Sequence, residues 1–117
     1  WRLNRVIDSV KRSVSGGGMI LDIGCAQGNF SLLLAEAGYK VIGGDIDPEN
    51  LEYARLRYEF GDCHFVALDG RRLPFQTKFD AIILSEILEH LTHPEQILRE
   101  CNLKLAPGNY GILEKAL

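Results

Sequence analysis

The chain lacks any apolar run approaching the roughly 18 residues that a membrane helix needs. It also lacks a basic excess. Thirteen Lys and Arg stand against sixteen Asp and Glu, a formal net charge of −3, so the electrostatic footprint of a nucleic-acid binder is missing. Arg2, Arg5, Lys11 and Arg12 read as a solvated helix face rather than a binding patch. Cysteine is sparse and unpatterned. Cys25, Cys63 and Cys101 are isolated, odd in number and without metal-type spacing, which predicts free thiols, no metal site and a reducing, cytoplasmic setting. No internal repeat and no low-complexity tract occurs beyond Gly16-Gly17-Gly18. Trp1 opens the chain with neither an initiator Met nor a signal-peptide pattern, and Leu117 falls just after an apolar, strand-like run. The expectation is one domain over residues 1–117, truncated at its C-terminal side.

What is present is a core-forming composition. Hydrophobic residues make up 46% of 117, enough for one buried interior and against wholesale disorder. Leu3, Val6, Ile7, Val10 and Val14 recur at helical spacing and predict a helix over 2–14. Met19 to Ile23 is a short apolar run, a candidate buried strand, and Gly24 to Gly28 a loop. Phe30 to Ala37 reads as a helix stopped by Gly38, and Lys40 to Gly44 as a second strand. Asp47-Pro48 then supplies an N-cap and a first-turn proline for a helix running to about Phe60. Cys63 to Ala67 is a third strand, 69–78 a loop, and Phe79 to Leu84 a fourth strand, apolar enough to be buried on both faces. A short helix over Glu86 to Leu91 follows. A further helix opens at His93-Pro94 and carries Ile97, Leu98, Cys101 and Leu105. Pro107-Gly108 stops it before a fifth strand at Tyr110 to Leu113.

Strands alternating with helices require crossover connections and a mainly parallel α/β sheet covered on both faces. In such sheets ligands bind outside the carboxyl ends of the strands, at the switch point. Asp22-Ile23-Gly24-Cys25-Ala26-Gln27-Gly28 lies there. Its small residues at 24, 26 and 28 let backbone approach a ligand. The dinucleotide fingerprint G-x-G-x-x-G is not met, because Ala replaces the second glycine and position 29 is Asn. A carboxylate at Asp22 suits a ligand bearing an ammonium and a sulfonium better than a pyrophosphate.

At these residues the sequence resembles the class I S-adenosylmethionine-dependent methyltransferases. Asp22-x-Gly24-Cys25-x-x-Gly28 resembles their first motif, and Gly44-Asp45-Ile46-Asp47-Pro48 their second, acidic motif. Asp69-Gly70 with Leu73-Pro74-Phe75 resembles the adenine-side motif. Phe79-Asp80 through Glu89-His90-Leu91 resembles the fourth-strand motif and the helix after it, and Leu105-Ala106-Pro107-Gly108 the turn before strand five. The nearest subgroup is the small-molecule type of the ubiquinone and menaquinone pathways. The resemblance implies a Rossmann-like open sheet of strand order 3-2-1-4-5, with the family's last strands absent. It implies S-adenosylmethionine as cofactor, S-adenosylhomocysteine as product and a small-molecule acceptor, with protein and RNA acceptors left open.

Each candidate site residue also has a plainer reading. The resemblance makes Asp22 a partner of the methionine ammonium, directly or through water; otherwise it caps the next helix. Gly24, Ala26 and Gly28 approach the ligand or merely shape the turn. Cys25 offers its backbone, since nothing supplies the base that a nucleophilic thiolate would need. Asp45 ends a buried strand, where an unpaired carboxylate is costly, and a ribose diol would satisfy it; the alternative is a strand-end cap. Asp47 is first an N-cap. Ile46 covers an adenine face or belongs to the core. Asp69 accepts from the adenine amino group, beside the Gly70 N–H, or caps its own turn. Ser85, through its backbone carbonyl, and Glu86 would border the methionine arm. His90 has a pKa suited to proton transfer at neutral pH and lies one turn after Glu86, so it is either the general base or a structural histidine. Besides methyl transfer, two other functions remain open: a non-catalytic cofactor-binding module and, against the glycine spacing, an NAD(P)-dependent oxidoreductase.

Overall fold

The computed structural model describes residues 2–85, 91–107 and 112–115. Among these residues nine elements follow in order: α1 (Arg2–Ser13), β1 (Met19–Ile23), α2 (Asn29–Glu36), β2 (Lys40–Asp45), α3 (Pro48–Arg57), β3 (Asp62–Ala67), β4 (Ala81–Ser85), α4 (Glu95–Lys104) and β5 (Ile112–Lys115). The five strands form one sheet in the order β3-β2-β1-β4-β5. All four pairings are parallel, with Asp22 level with Gly43 on one side and Ile83 on the other. The expected α/β architecture and strand order are therefore present.

Alternating side chains divide the interior. Ile20, Val41, Cys63, Phe65, Ala81 and Ile83 pack with Val10 of α1 and Val14 just past it, Phe30 and Leu34 of α2, and Leu51 and Ala54 of α3. Their neighbours Leu21, Ile23, Ile82 and Leu84 point the other way, to Ile97 and Cys101 of α4 and to Leu68, Leu73 and Phe79. The period-two geometry of a strand sends successive residues to opposite faces. A sheet buried on both faces therefore needs apolar residues at most central positions, and buried Asp22 in β1 is an exception held by the Ser31 hydroxyl.

Several element ends depart from expectation, most by a single residue. Helix α3 stops at Arg57 rather than near Phe60, because Tyr58 turns extended and its hydroxyl donates to the Gly61 carbonyl. Strand β4 starts at Ala81. Phe79 instead makes an isolated bridge to Leu105, and the Asp80 carboxylate accepts from the Met19 N–H at 2.9 Å. Helix α4 ends at Lys104, leaving Leu105 extended. Strand β5 spans Ile112–Lys115, two residues later than the apolar run suggested. The Asp47 cap holds as expected, its side chain accepting from the Glu49 N–H at 2.9 Å with Pro48 in the first turn. The expected helix at 86–91 lies almost wholly outside the described residues. Among the described residues no helix is long and apolar enough to cross a membrane.

Candidate functional site

A cleft of about 600 Å³ opens outside the carboxyl ends of β1 and β2. That volume lies within the range of small-molecule sites. Its first wall is the loop after β1. The Gly24 and Cys25 N–H groups both donate to the Gly44 carbonyl, at 2.8 and 3.0 Å, and the Gly28 N–H donates to the Cys25 carbonyl at 2.9 Å. Gly24, Ala26 and Gly28 all take positive φ, at 77°, 50° and 82°. For Ala26 this costs about 1–2 kcal/mol, the penalty of a left-handed L residue. The Asp45 carboxylate holds it there, accepting from the Ala26 N–H at 2.8 Å and from the Asp47 N–H at 2.9 Å. From α3, Arg57 reaches back to donate to the Gln27 carbonyl at 3.1 Å and to the Asn29 side chain.

The second wall is the segment after β3, with Leu68, Asp69, Gly70 and Arg71, closed by Leu91 and Ile97. Asp69 is clasped by Arg71. Its Oδ1 accepts from the Arg71 N–H at 3.0 Å and from Nε at 3.1 Å, and its Oδ2 accepts from Nη2 at 2.7 Å. These bonds hold the Asp69 carboxyl down at about 2. Asp69 thus caps its own turn while also lining the cleft, with Arg71 as a partner that sequence reasoning had not named.

Of the residues singled out in the sequence, Gly24, Cys25, Ala26, Asp45, Ile46, Asp69 and Gly70 line the cleft. Ile46 is 75% exposed, so it is not a core residue. Cys25 is buried, and burial followed by the charges of Asp22 and Asp45 pushes its thiol far up, leaving it protonated. Two residues are placed elsewhere. Asp22 is fully buried and accepts from the Ser31 hydroxyl at 2.8 Å; it does not line the cleft. Gly28 is buried against β3 and α3, where an added Cβ would stand 2.9 Å from Phe65 Cζ and 3.0 Å from Ala54 Cβ. Its lack of a side chain serves packing. Ser85 ends β4, while Glu86 and His90 lie outside the described residues.

Sequence reasoning missed Asn29, Asn50, Arg71, Leu91 and Ile97 as lining residues. Asn29 had a signal: it stands where the dinucleotide fingerprint would have glycine. Asn50 sits in the first turn of α3 and Arg71 two residues past Asp69, both close to assigned residues. Leu91 closes the Glu89-His90-Leu91 motif but had no role assigned, and Ile97 carried no signal, because it reaches the cleft only through the crossover after β4.

Comparison with known proteins agrees with this geometry. The methyltransferase domain family matches residues 21–113. The ubiquinone biosynthesis O-methyltransferase of Chromobacterium violaceum is 32% identical over 109 residues, covering 89% of this chain and 47% of that protein. Its counterpart in Xylella fastidiosa is 36% identical over 107 residues, covering 87% and 44%. The chain thus spans less than half the length of these relatives. Among solved structures, the TehB-like S-adenosylmethionine-dependent methyltransferase of Corynebacterium glutamicum superposes with a TM-score of 0.78 at 26% identity, over 93% of this chain and 59% of that one. The magnesium protoporphyrin IX methyltransferase of Synechocystis, solved with S-adenosylmethionine bound, shares the fold with a TM-score of 0.76 at 22% identity, over 88% and 52%. On the span of the family match and the identity to these relatives, the chain belongs to the class I S-adenosylmethionine-dependent methyltransferases.

Proposed function

We propose that the cleft binds S-adenosylmethionine and that the whole protein transfers its methyl group to a hydroxyl of a small-molecule acceptor. The observation that carries this reading is that Asp45 and Asp69 both line a cleft whose first wall is glycine-loop backbone. The residues fit such a ligand. Each Asp45 oxygen accepts one backbone N–H, and a carboxylate oxygen has room for a second donor, here a ribose hydroxyl. Exposed Ile46 offers an apolar face to a base, and the Gly24 to Ala26 backbone lets the ligand come close. Asp22, buried on Ser31, would act on the methionine ammonium through water rather than by contact. Ser85 and Glu86 are assigned to the methionine arm.

When bound, the sulfonium supplies an already activated methyl group for in-line displacement. The chain's contribution is then position, and holding two reactants in line is worth roughly 7–11 kcal/mol. His90 is proposed as the group that takes the acceptor's proton, a role that wild-type turnover of a whole-protein His90→Ala variant would remove. The relatives named as O-methyltransferases support an oxygen acceptor; protein and RNA acceptors are the alternatives. Three buried free cysteines favour a reducing, cytoplasmic setting.

A second reading has its own observation. The [4+2]-cyclase SpnF superposes with a TM-score of 0.78 at 26% identity, so this fold also serves a protein named for another reaction. On that reading the chain binds the cofactor without transferring methyl. Titration calorimetry with S-adenosylmethionine, S-adenosylhomocysteine and NAD tests the shared premise. Saturable heat with the first two is expected; binding of NAD alone would overturn the proposal.

A further inference from the structure

Three polar side chains on α4 hold the backbone of the segment that carries the second wall. Gln96, Glu100 and Lys104 are spaced four apart and so share one helix face. Each engages one residue of the loop, and together they take every second one. Gln96 Nε2 donates to the Arg71 carbonyl at 3.5 Å, Glu100 Oε1 accepts from the Leu73 N–H at 2.8 Å, and Lys104 Nζ donates to the Phe75 carbonyl at 2.6 Å. The same loop sends Leu73 and Phe75 into the core cluster that holds Ile97, Leu98 and Cys101. Gly70, at the loop's start, is packed so closely that an added Cβ would lie 3.0 Å from Ile23 Cγ2 and 3.4 Å from Ile97 Cδ1. The loop's far end is tied as well, because the Phe79 N–H donates to the Lys104 carbonyl at 2.7 Å.

We infer that the Gln96–Glu100–Lys104 row of α4 positions Asp69 and Gly70, and through them sets which base the cleft accepts. Glu100 is the central positioning residue. It is half-buried and takes the one loop N–H in the row, whose orientation a charged acceptor fixes most strongly. None of the three side chains lines the cleft. Their effect on a ligand runs through the loop. A purine's exocyclic amine donates to Asp69, and the Gly70 N–H beside it donates to a ring nitrogen. A shifted loop loses that match, while the ribose contact at Asp45 on the other wall is unaffected. The inference rests on the cofactor reading above.

The test is the ratio of affinities for S-adenosylhomocysteine and its inosine analogue, in which an oxo group replaces the 6-amino donor. Measured by calorimetry on folded protein, Glu100→Ala should reduce the preference for the amino form by about tenfold, the loss of one charge-assisted bond. Glu100→Gln keeps an acceptor oxygen and should keep most of the preference. Lys104→Met removes the Phe75 bond while retaining an apolar stem, and should lower the same ratio should Glu100→Ala not fold. A lowered melting temperature with an unchanged ratio in both Glu100→Ala and Lys104→Met would overturn the inference alone. No binding of either ligand by the wild-type chain would overturn the cofactor reading with it.

Discussion

The two walls of the cleft are built by opposite means. The wall after β1 is a backbone wall. Its positive-φ glycines and alanine and its main-chain pairings set its shape, with Asp45 and Arg57 reaching Ala26 and Gln27 from 19 and 30 residues further along the chain. The wall after β3 is a side-chain wall. Its loop is held by α4 side chains 25 to 29 residues further along the chain. A backbone wall tolerates little change in residue type. A side-chain wall rests on hydrogen bonds that several sequences could supply.

Three experiments sharpen this contrast. The largest effect belongs to Gly28→Val. A β-branched side chain there must take a φ of 82° and meet Phe65 and Ala54 at about 3 Å. The left-handed penalty and overpacking together predict a loss of about 3 kcal/mol in urea unfolding. An unchanged midpoint would mean that the first wall is not fixed by backbone geometry. Asp45→Ala comes next. It removes the acceptor for the Ala26 and Asp47 N–H groups, which predicts about 2 kcal/mol less stability, and it should weaken S-adenosylhomocysteine binding by more than tenfold. Loss of affinity without loss of stability would show that the bridge does not hold the loop.

The smallest effect is at the second wall. The Asp69 carboxyl is held at about 2, against its ordinary 3.8, first by hydrogen bonds from the Arg71 side chain. A depressed folded-state value contributes stability that is complete above the unfolded value and lost as pH falls through the folded one. The Asp69 contribution should therefore be full above about pH 4 and fade towards pH 2. Its side chain is 43% exposed, so solvent screening keeps the step shallow. Arg71→Gln should flatten it in urea midpoints followed from pH 5 to pH 2. An identical slope in the variant would remove the clasp from the account.

The difference between the walls also explains how far the sequence could be read. The first wall was readable because glycine, aspartate and proline carry their conformational roles with them. Gly24 marks its turn and Asp47-Pro48 its helix start wherever they fall. Gly28 was marked as a turn glycine, but its partner Phe65 sits on another strand, so its packing role was hidden. Asp22 lies inside one strand-like run and Asp45 just past another, and in sequence both read as acids near a strand end. Only the sheet shows that one is buried on Ser31 while the other faces the cleft. Asp69 was named, but not the Arg71 clasp, because a carboxylate in a loop does not announce which donor it will meet.

The sequence by itself determined the alternation of strands and helices, the parallel sheet, and the loop where a ligand approaches backbone. These follow from hydrophobic period and from residues whose φ preferences are intrinsic. The tertiary structure alone decided which acids reach the cleft and which are buried. It also decided that Gly28 makes room for an aromatic ring and that α4 holds the second wall. Those outcomes depend on residues brought together by the crossovers, and a pairing between distant side chains leaves no period in the chain that makes it.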